Sequence, residues 1–260
     1  MVEMQDISIK AAAPQIFRRP LLYVSPADSL FHAATFLAVG PQIYADGLVV
    51  LDAGRLVGRI GGKHLAKHIL GKKERWLDAS AGEIGEPLEK PLDADSPLKD
   101  ALSMFSETRF AFMPVATGGK IVASLSIRDL LGIADKTRKA VQLASPITAV
   151  QENMGVVEAL RFMVDKAVRN LVTMRPDGPY FINDRRVLEF LLSHEARQLV
   201  QERGFSALDD VPLSHIEFYK GRVMNPDEST STAASLLSDV CTPCIFIGYK
   251  ILTPWDLVMK

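Results

Sequence analysis

The sequence predicts an α/β (α+β) fold made of four copies of one β-α-β-β-α unit. Three observations predict it. An extended segment followed by a turn rich in Pro, Asp and Ser recurs four times, each turn opens an amphipathic helix, and each helix leads into a pair of short strands. The four starts are Val24–Leu30, Leu92–Leu98, Val150–Val156 and Met224–Thr230, at an irregular spacing of roughly 60 to 75 residues, longer than common solenoid repeats.

Each element follows from local chemistry. The turns place a short polar side chain just before an apolar-periodic run, which is how a helix N-terminus satisfies its free N–H groups. In the second copy Leu98, Ala101, Leu102 and Phe105 share one helix face; in the third, Val156, Val157, Leu160 and Met163 do. First strands are expected at 48–51, 110–115, 170–174 and 244–247, with turns at Asp52-Ala-Gly54, Thr117-Gly-Gly119 and Asp177-Gly178. Return strands are expected at 56–60, 120–125, 180–182 and 249–252, each followed by a closing helix. One such unit is too small to bury both faces of its sheet. Pairing of copies one with two and three with four gives two domains. These are 1–135, with motifs at about 10–75 and 80–135, and 136–260, with motifs at about 140–200 and 208–260. The join is expected between Ala134 and Pro146, a stretch that holds Lys136, Arg138 and Lys139.

Composition excludes several function classes. The chain has 260 residues, 48% hydrophobic and 23% charged, and a formal net charge of −1, so no overall positive field gathers nucleic acid. Lys72-Lys73 and Arg185-Arg186 read as solvated helix faces. No apolar run approaches the roughly 18 residues that span a bilayer. Met1 to Lys10 mixes Glu3, Asp6 and Lys10 with apolar residues and does not read as a secretory leader. Two cysteines, Cys241 and Cys244, are too few for a disulfide framework, and the cytoplasm is the expected setting.

This order of elements resembles the cystathionine-β-synthase (CBS) domain family, two of whose motifs form a Bateman module. The resemblance is carried best by Phe112-Met-Pro-Val115 and Ile121-Val-Ala-Ser-Leu-Ser-Ile-Arg-Asp-Leu-Leu131 of the second copy, and by Pro146–Val150 and Glu158–Met163. It covers nearly all of residues 10 to 260 and implies four motifs in two modules. It also implies a non-catalytic regulatory protein that needs no cofactor. Its ligand would be AMP, ADP, ATP or a related adenosyl compound such as S-adenosylmethionine, held in clefts between paired motifs. The two modules would close on each other as an intramolecular disk or homodimerise, and an unidentified effector protein would read the ligand state.

The family's transferable site feature is Gly-h-h-Thr/Ser-x-x-Asp, where h is apolar, at the passage from last strand to last helix. Here the second copy has Ser126-Ile-Arg-Asp129 and the fourth Thr253-Pro-Trp-Asp256, whereas the third has Asn183-Asp-Arg-Arg186 and the first Gly61-Gly-Lys-His64. The preceding glycine survives only as Gly58, with Ala123, Tyr180 and Lys250 in its place elsewhere. A carboxylate accepts from both ribose hydroxyls, and a hydroxyl three residues earlier stands beside free helix N–H groups that favour phosphate. The resemblance therefore implies Ser126, Asp129, Thr253 and Asp256 as ligand residues, with Arg128 placed toward a phosphate and Asn183 as the third copy's counterpart. One site per module is expected. Copies one and three would be vestigial or lend Lys63 and Arg186 to their partners, and Pro91-Leu92 and Arg222-Val223 would border the base.

Ser/Thr-x-x-Asp is also a helix capping box, and Pro254 suits a first helical position. The capping reading leaves a scaffold without a ligand as the alternative function. A third reading rests on Cys241-Thr-Pro-Cys244. Its C-x-x-C spacing suits redox or zinc chemistry, but no second ligand pair exists and it leads into a strand, so buried packing is expected. His64 and His68 lie four apart with no acid adjacent in sequence, among Lys63, Lys67 and Lys72, and read as a cationic surface.

Overall fold

The computed structural model describes residues 6–39, 46–88, 90–135 and 137–260. Each copy folds as a helix, an antiparallel hairpin and a closing helix, preceded by a short parallel strand in the first, second and fourth copies and by a single parallel bridge, Ala149–Val172, in the third. The first copy holds β1 (Tyr23–Val24), α1 (Leu30–Ala38), β2 (Gly47–Asp52), β3 (Arg55–Gly61) and α2 (Gly62–Lys72). Ser29 caps α1 by accepting from the His32 N–H. The β2–β3 turn uses Ala53 and Gly54 at φ 46° and 83°, the left-handed region that a tight hairpin demands.

The strand β4 (Glu86–Pro87) leads to the second copy, which holds β5 (Leu92–Asp93), α3 (Leu98–Thr108), β6 (Phe112–Thr117) and β7 (Lys120–Ser126). Its closing element is a 3-10 helix, Ile127–Ile133. After β8 (Ser145–Pro146) the third copy comprises α4 (Val156–Lys166), β9 (Asn170–Arg175), β10 (Gly178–Asn183), α5 (Asp184–Leu192) and α6 (His194–Arg203). After β11 (Tyr219–Lys220) the fourth comprises β12 (Arg222–Val223), α7 (Thr230–Leu237), β13 (Ile245–Ile247), β14 (Lys250–Leu252) and α8 (Pro254–Met259).

The segments that lead into each copy are exchanged. β4 pairs with β3 of the first copy, β8 with β14 of the fourth, and β11 with β10 of the third. The bridges Ser8–Pro97, Ser29–Ser80, Lys139–Ser229 and Gly155–Pro212 repeat the same trade. Ile9, Ala13 and Ile16 accordingly pack in the second copy's core with Leu98, Phe105 and Met113. The sequence reading assigned residues from about 10 onward to the first motif; their apolar side chains are buried in the second instead. The exchanged leaders give the sheets of the first, third and fourth copies a strand that the copy itself does not supply.

Two kinds of core result. Sheet faces pack within each half: Val49 and Leu51 against Phe110 and Phe112, and Val172 and Phe181 against Cys244, Phe246 and Ile251. Helices pack between halves. Leu65 and Ile69 of the first copy share a cluster with Leu160, Val187 and Leu191 of the third, and α8 of the fourth copy packs its Trp255 and Val258 on the second. The first copy faces the third and the second faces the fourth, so the halves close around a common centre.

Candidate functional site at the centre

The four strand-to-helix turns meet where the halves join. Gly61, Ser126, Asn183 and Thr253 are each the residue before a helix, and their successors line one cavity of about 520 Å³. Two repeat positions point into it. The second residue after the cap is Lys63, Arg128, Arg185 or Trp255. The residue one before the cap's cross-strand partner is Asp46, Ala111 or Arg169, and Pro243 in the fourth copy by one-pair extension of its register. Sequence reasoning missed Asp46, Arg169, Asp184 and Arg185; the repeat alignment of those two positions was the signal that could have found Asp46, Arg169 and Arg185, whereas Asp184, directly after its cap, lies at neither.

The capping boxes are formed. Asp129 Oδ2 accepts from the Ser126 N–H at 2.8 Å and from Arg19 Nη2 at 2.7 Å. Burial raises the Asp129 carboxyl above its ordinary range, and Arg19 offsets this only in part. Asp256 Oδ2 accepts from the Thr253 N–H at 2.9 Å and from Thr253 Oγ1 at 2.6 Å, while its Oδ1 accepts from Lys260 Nζ at 2.7 Å and Ser145 Oγ at 3.1 Å. Both carboxylates line the cavity, yet each already serves its own helix and a cation.

Three expectations change. Arg128 does not project freely toward a phosphate: its guanidinium donates to the carbonyls of Leu237, Asp239 and Thr242, closing the C-terminal end of α7. Asn183 Oδ1 is taken by the Arg186 N–H at 2.9 Å, so its side chain caps α5. Arg186 turns outward to Glu189 and Glu217 at 2.7 and 2.6 Å, and Arg185 faces the cavity in its place. Of the expected base-pocket neighbours, Leu92 is buried in the second copy's core and Val223 is exposed.

A charged network crosses the centre. Asp46 Oδ1 accepts from Arg185 Nη2 at 3.0 Å and lies 3.9 Å from Arg169 Nη1, while its Oδ2 accepts from the Ser126 hydroxyl. Arg169 makes a two-pronged pair with Asp184 at 2.9 and 3.2 Å. Burial alone would raise the Asp46 carboxyl, but Arg185, Arg169 and Ser126 together hold it below the usual range. Asp184 and the paired Asp46 push the Arg169 guanidinium up, outweighing burial. Gly62 lets the start of α2 approach: a Cβ there would stand 2.6 Å from Asp184 Oδ2.

Beside the first copy's turn the space is filled. The buried Arg59 guanidinium lies 3.7 Å over the Phe110 ring, on which His64 also stacks at 4.7 Å. Glu86 joins both, at 3.2 Å from Arg59 and 2.7 Å from His64. The sequence places no acid next to His64; the exchanged β4 supplies one. Cys244 is buried, which pushes its thiol up to about 12, and Cys241 is exposed. Among the described residues no group of three or more His, Cys, Asp or Glu is placed to hold a metal ion. No helix of the described residues is long and apolar enough to cross a membrane.

Residues 90–136 match the model of the CBS domain. No curated protein matches the sequence. Among solved structures, a Methanocaldococcus jannaschii protein proposed as an archaeal homologue of γ-AMPK superposes with a TM-score of 0.78 at 14% identity, over 92% of this chain and 95% of that one. An uncharacterised conserved protein from Pyrococcus horikoshii superposes with a TM-score of 0.53 at 16% identity, over 82% of this chain and 89% of the other. At these identities the likeness is one of fold. The CBS-domain model thus matches the second copy, and the fold of nearly the whole chain is similar to that of the Methanocaldococcus jannaschii protein.

Proposed function

We propose that this chain is a non-catalytic regulatory protein that binds an adenine nucleotide or a related adenosyl ligand at its centre, between two Bateman modules formed by residues 1–135 and 136–260. The observation that carries the reading is the convergence of four helix-opening turns on one cavity of about 520 Å³, a size suited to a small-molecule ligand. Lys63, Arg169 and Arg185 line it and supply charge for phosphates. Pro243, Ile251 and Trp255 offer apolar surface for a base. Ser126, Asp129, Thr253 and Asp256 line it as well, and a ribose would share carboxylates that now hold Arg19 and Lys260. The fold similarity to a protein described as a γ-AMPK homologue agrees with this reading.

Ligand binding would act by favouring one relative arrangement of the halves, in proportion to its differential affinity for the two arrangements. A separate effector chain in the cytoplasm would read the change. Thermal unfolding with AMP, ADP, ATP and S-adenosylmethionine tests the reading. A ligand at 100 times its dissociation constant is expected to stabilise the protein by about 2.7 kcal/mol. No shift with any of the four would instead favour a ligand-free scaffold, for which the internal engagement of Asp129, Asp256 and Arg128 already argues.

A further inference from the structure

We propose that Asp46 is an internal occupant of a phosphoryl-binding site made by Arg185, Arg169 and Ser126, and that a phosphorylated ligand enters this site by displacing it. The proposal rests on the central cavity being the ligand site.

The donors around Asp46 form the set that a phosphoryl group takes. Two guanidiniums face its carboxylate, Arg185 at 3.0 Å and Arg169 at 3.9 Å, and the Ser126 hydroxyl donates to its second oxygen. Guanidiniums and a hydroxyl at a helix start favour an oxyanion of higher charge and more oxygens than a carboxylate provides. A phosphoryl group carries about −1.5 to −2 at neutral pH, against the single charge of Asp46. Both guanidiniums hold the carboxyl ionised, so the site is filled from within at neutral pH.

The repeats provide an internal control on whether the fold needs this carboxylate. The equivalent residue of the second copy is Ala111 and of the fourth Pro243, and both copies build the same strand and turn. An acid at this position is therefore dispensable for the unit. In the first and third copies the equivalent residues are Asp46 and Arg169, opposite charges that face each other across the centre. The pair also stands on the wall of the cavity, where an incoming anion reaches it, and not within the apolar clusters.

Displacement would have a structural consequence. Asp46 immediately precedes β2 and ties the first copy to Ser126 of the second and Arg185 of the third. A phosphoryl group that took its place would release the first copy from both at once, converting occupancy into altered contact between copies.

Calorimetric titration of the full chain with inorganic tripolyphosphate and with ATP tests this, comparing the parent with Asp46→Asn, which keeps the shape and removes the charge. Removal of a like charge from the anion's path is expected to tighten tripolyphosphate binding about tenfold or more. Asp46→Glu, which retains a competing carboxylate, is expected to bind it as weakly as the parent. Thermal unfolding adds a second readout: Asp46→Asn should melt lower than the parent in anion-free buffer, as loss of any buried ion pair would cause, and should be stabilised by tripolyphosphate more than the parent is, which a purely structural ion pair would not produce. A variant that folds only with the anion supports the proposal, and one that stays unfolded with it overturns it. Equal or weaker tripolyphosphate binding by Asp46→Asn, with ATP still bound by the parent, overturns the role of Asp46 and leaves the nucleotide reading standing. If neither protein binds either probe, both fall.

Discussion

The turns of the second and fourth copies and those of the first and third do different work on one scaffold. In the second and fourth, the acid at the end of Ser/Thr-x-x-Asp bonds back to its own cap and to one cation, Arg19 or Lys260. In the first and third, the acid is replaced by His64 and Arg186, which turn to Glu86 and to Glu189 and Glu217. Charge reaches the cavity there through other positions: Lys63, Arg169, Asp184 and Arg185. Every copy must start a helix, so every copy keeps a serviceable residue before it. The residue two places on is under no such demand, and across the repeats it varies from lysine to arginine to tryptophan.

The largest effect that would break this comparison is expected at Arg185. Arg185→Ala leaves Asp46 without its nearest guanidinium in a mostly buried setting, a change that costs about 3 kcal/mol for an uncompensated buried charge. Urea unfolding measures it, and a loss below about 1 kcal/mol would mean that the network is solvated like a surface pair. A smaller loss, about 1 to 2 kcal/mol, is expected for Asp256→Asn, which weakens the acceptor for the Thr253 N–H and hydroxyl and removes the charge that holds Lys260. The same unfolding curve checks it. An unchanged midpoint would show that the capping box adds nothing beyond the cap residue, and the second and fourth copies would then resemble the first.

The smallest effect is one of sign. Asp46 titrates below its ordinary value in the folded chain, so it adds stability above the unfolded carboxylate range, and that contribution is lost as pH falls through its folded value. Asp129 titrates above its ordinary value, so its ionised form opposes folding, and this opposition is relieved as pH falls through its folded value. Acid unfolding midpoints should therefore move in opposite directions: Asp46→Asn makes stability less sensitive to acid, and Asp129→Asn makes it more so. Equal slopes in the two variants would contradict the opposed environments of these carboxylates.

Much of the fold was legible because its signals are local. The helix faces of Leu98, Ala101 and Phe105 and of Val156, Leu160 and Met163 are buried as their spacing predicts. The hairpin turns at Ala53-Gly54 and Gly118-Gly119 adopt positive φ where glycine-rich turns were read. The exchanged leaders were not legible, since Ile9 and Ile16 carry no mark of which copy they will enter. Ser126, Asp129, Thr253 and Asp256 were read from the turn, but the cations that occupy the two acids come from Arg19, far back in the chain, and from Lys260.

By itself, the sequence determined the four units, their caps and their apolar faces, because strand alternation, helix periodicity and turn chemistry act over a few residues. Only the tertiary structure decided which side chains share the centre. Asp46 and Arg185 are 139 residues apart, and Arg128 reaches carbonyls more than 100 residues away. Such partners are chosen when helices of the two halves pack and water is excluded, where a charge or a helix end must find whatever complement the fold brings near. The repeat supplies equivalent positions, and burial assigns them unequal roles.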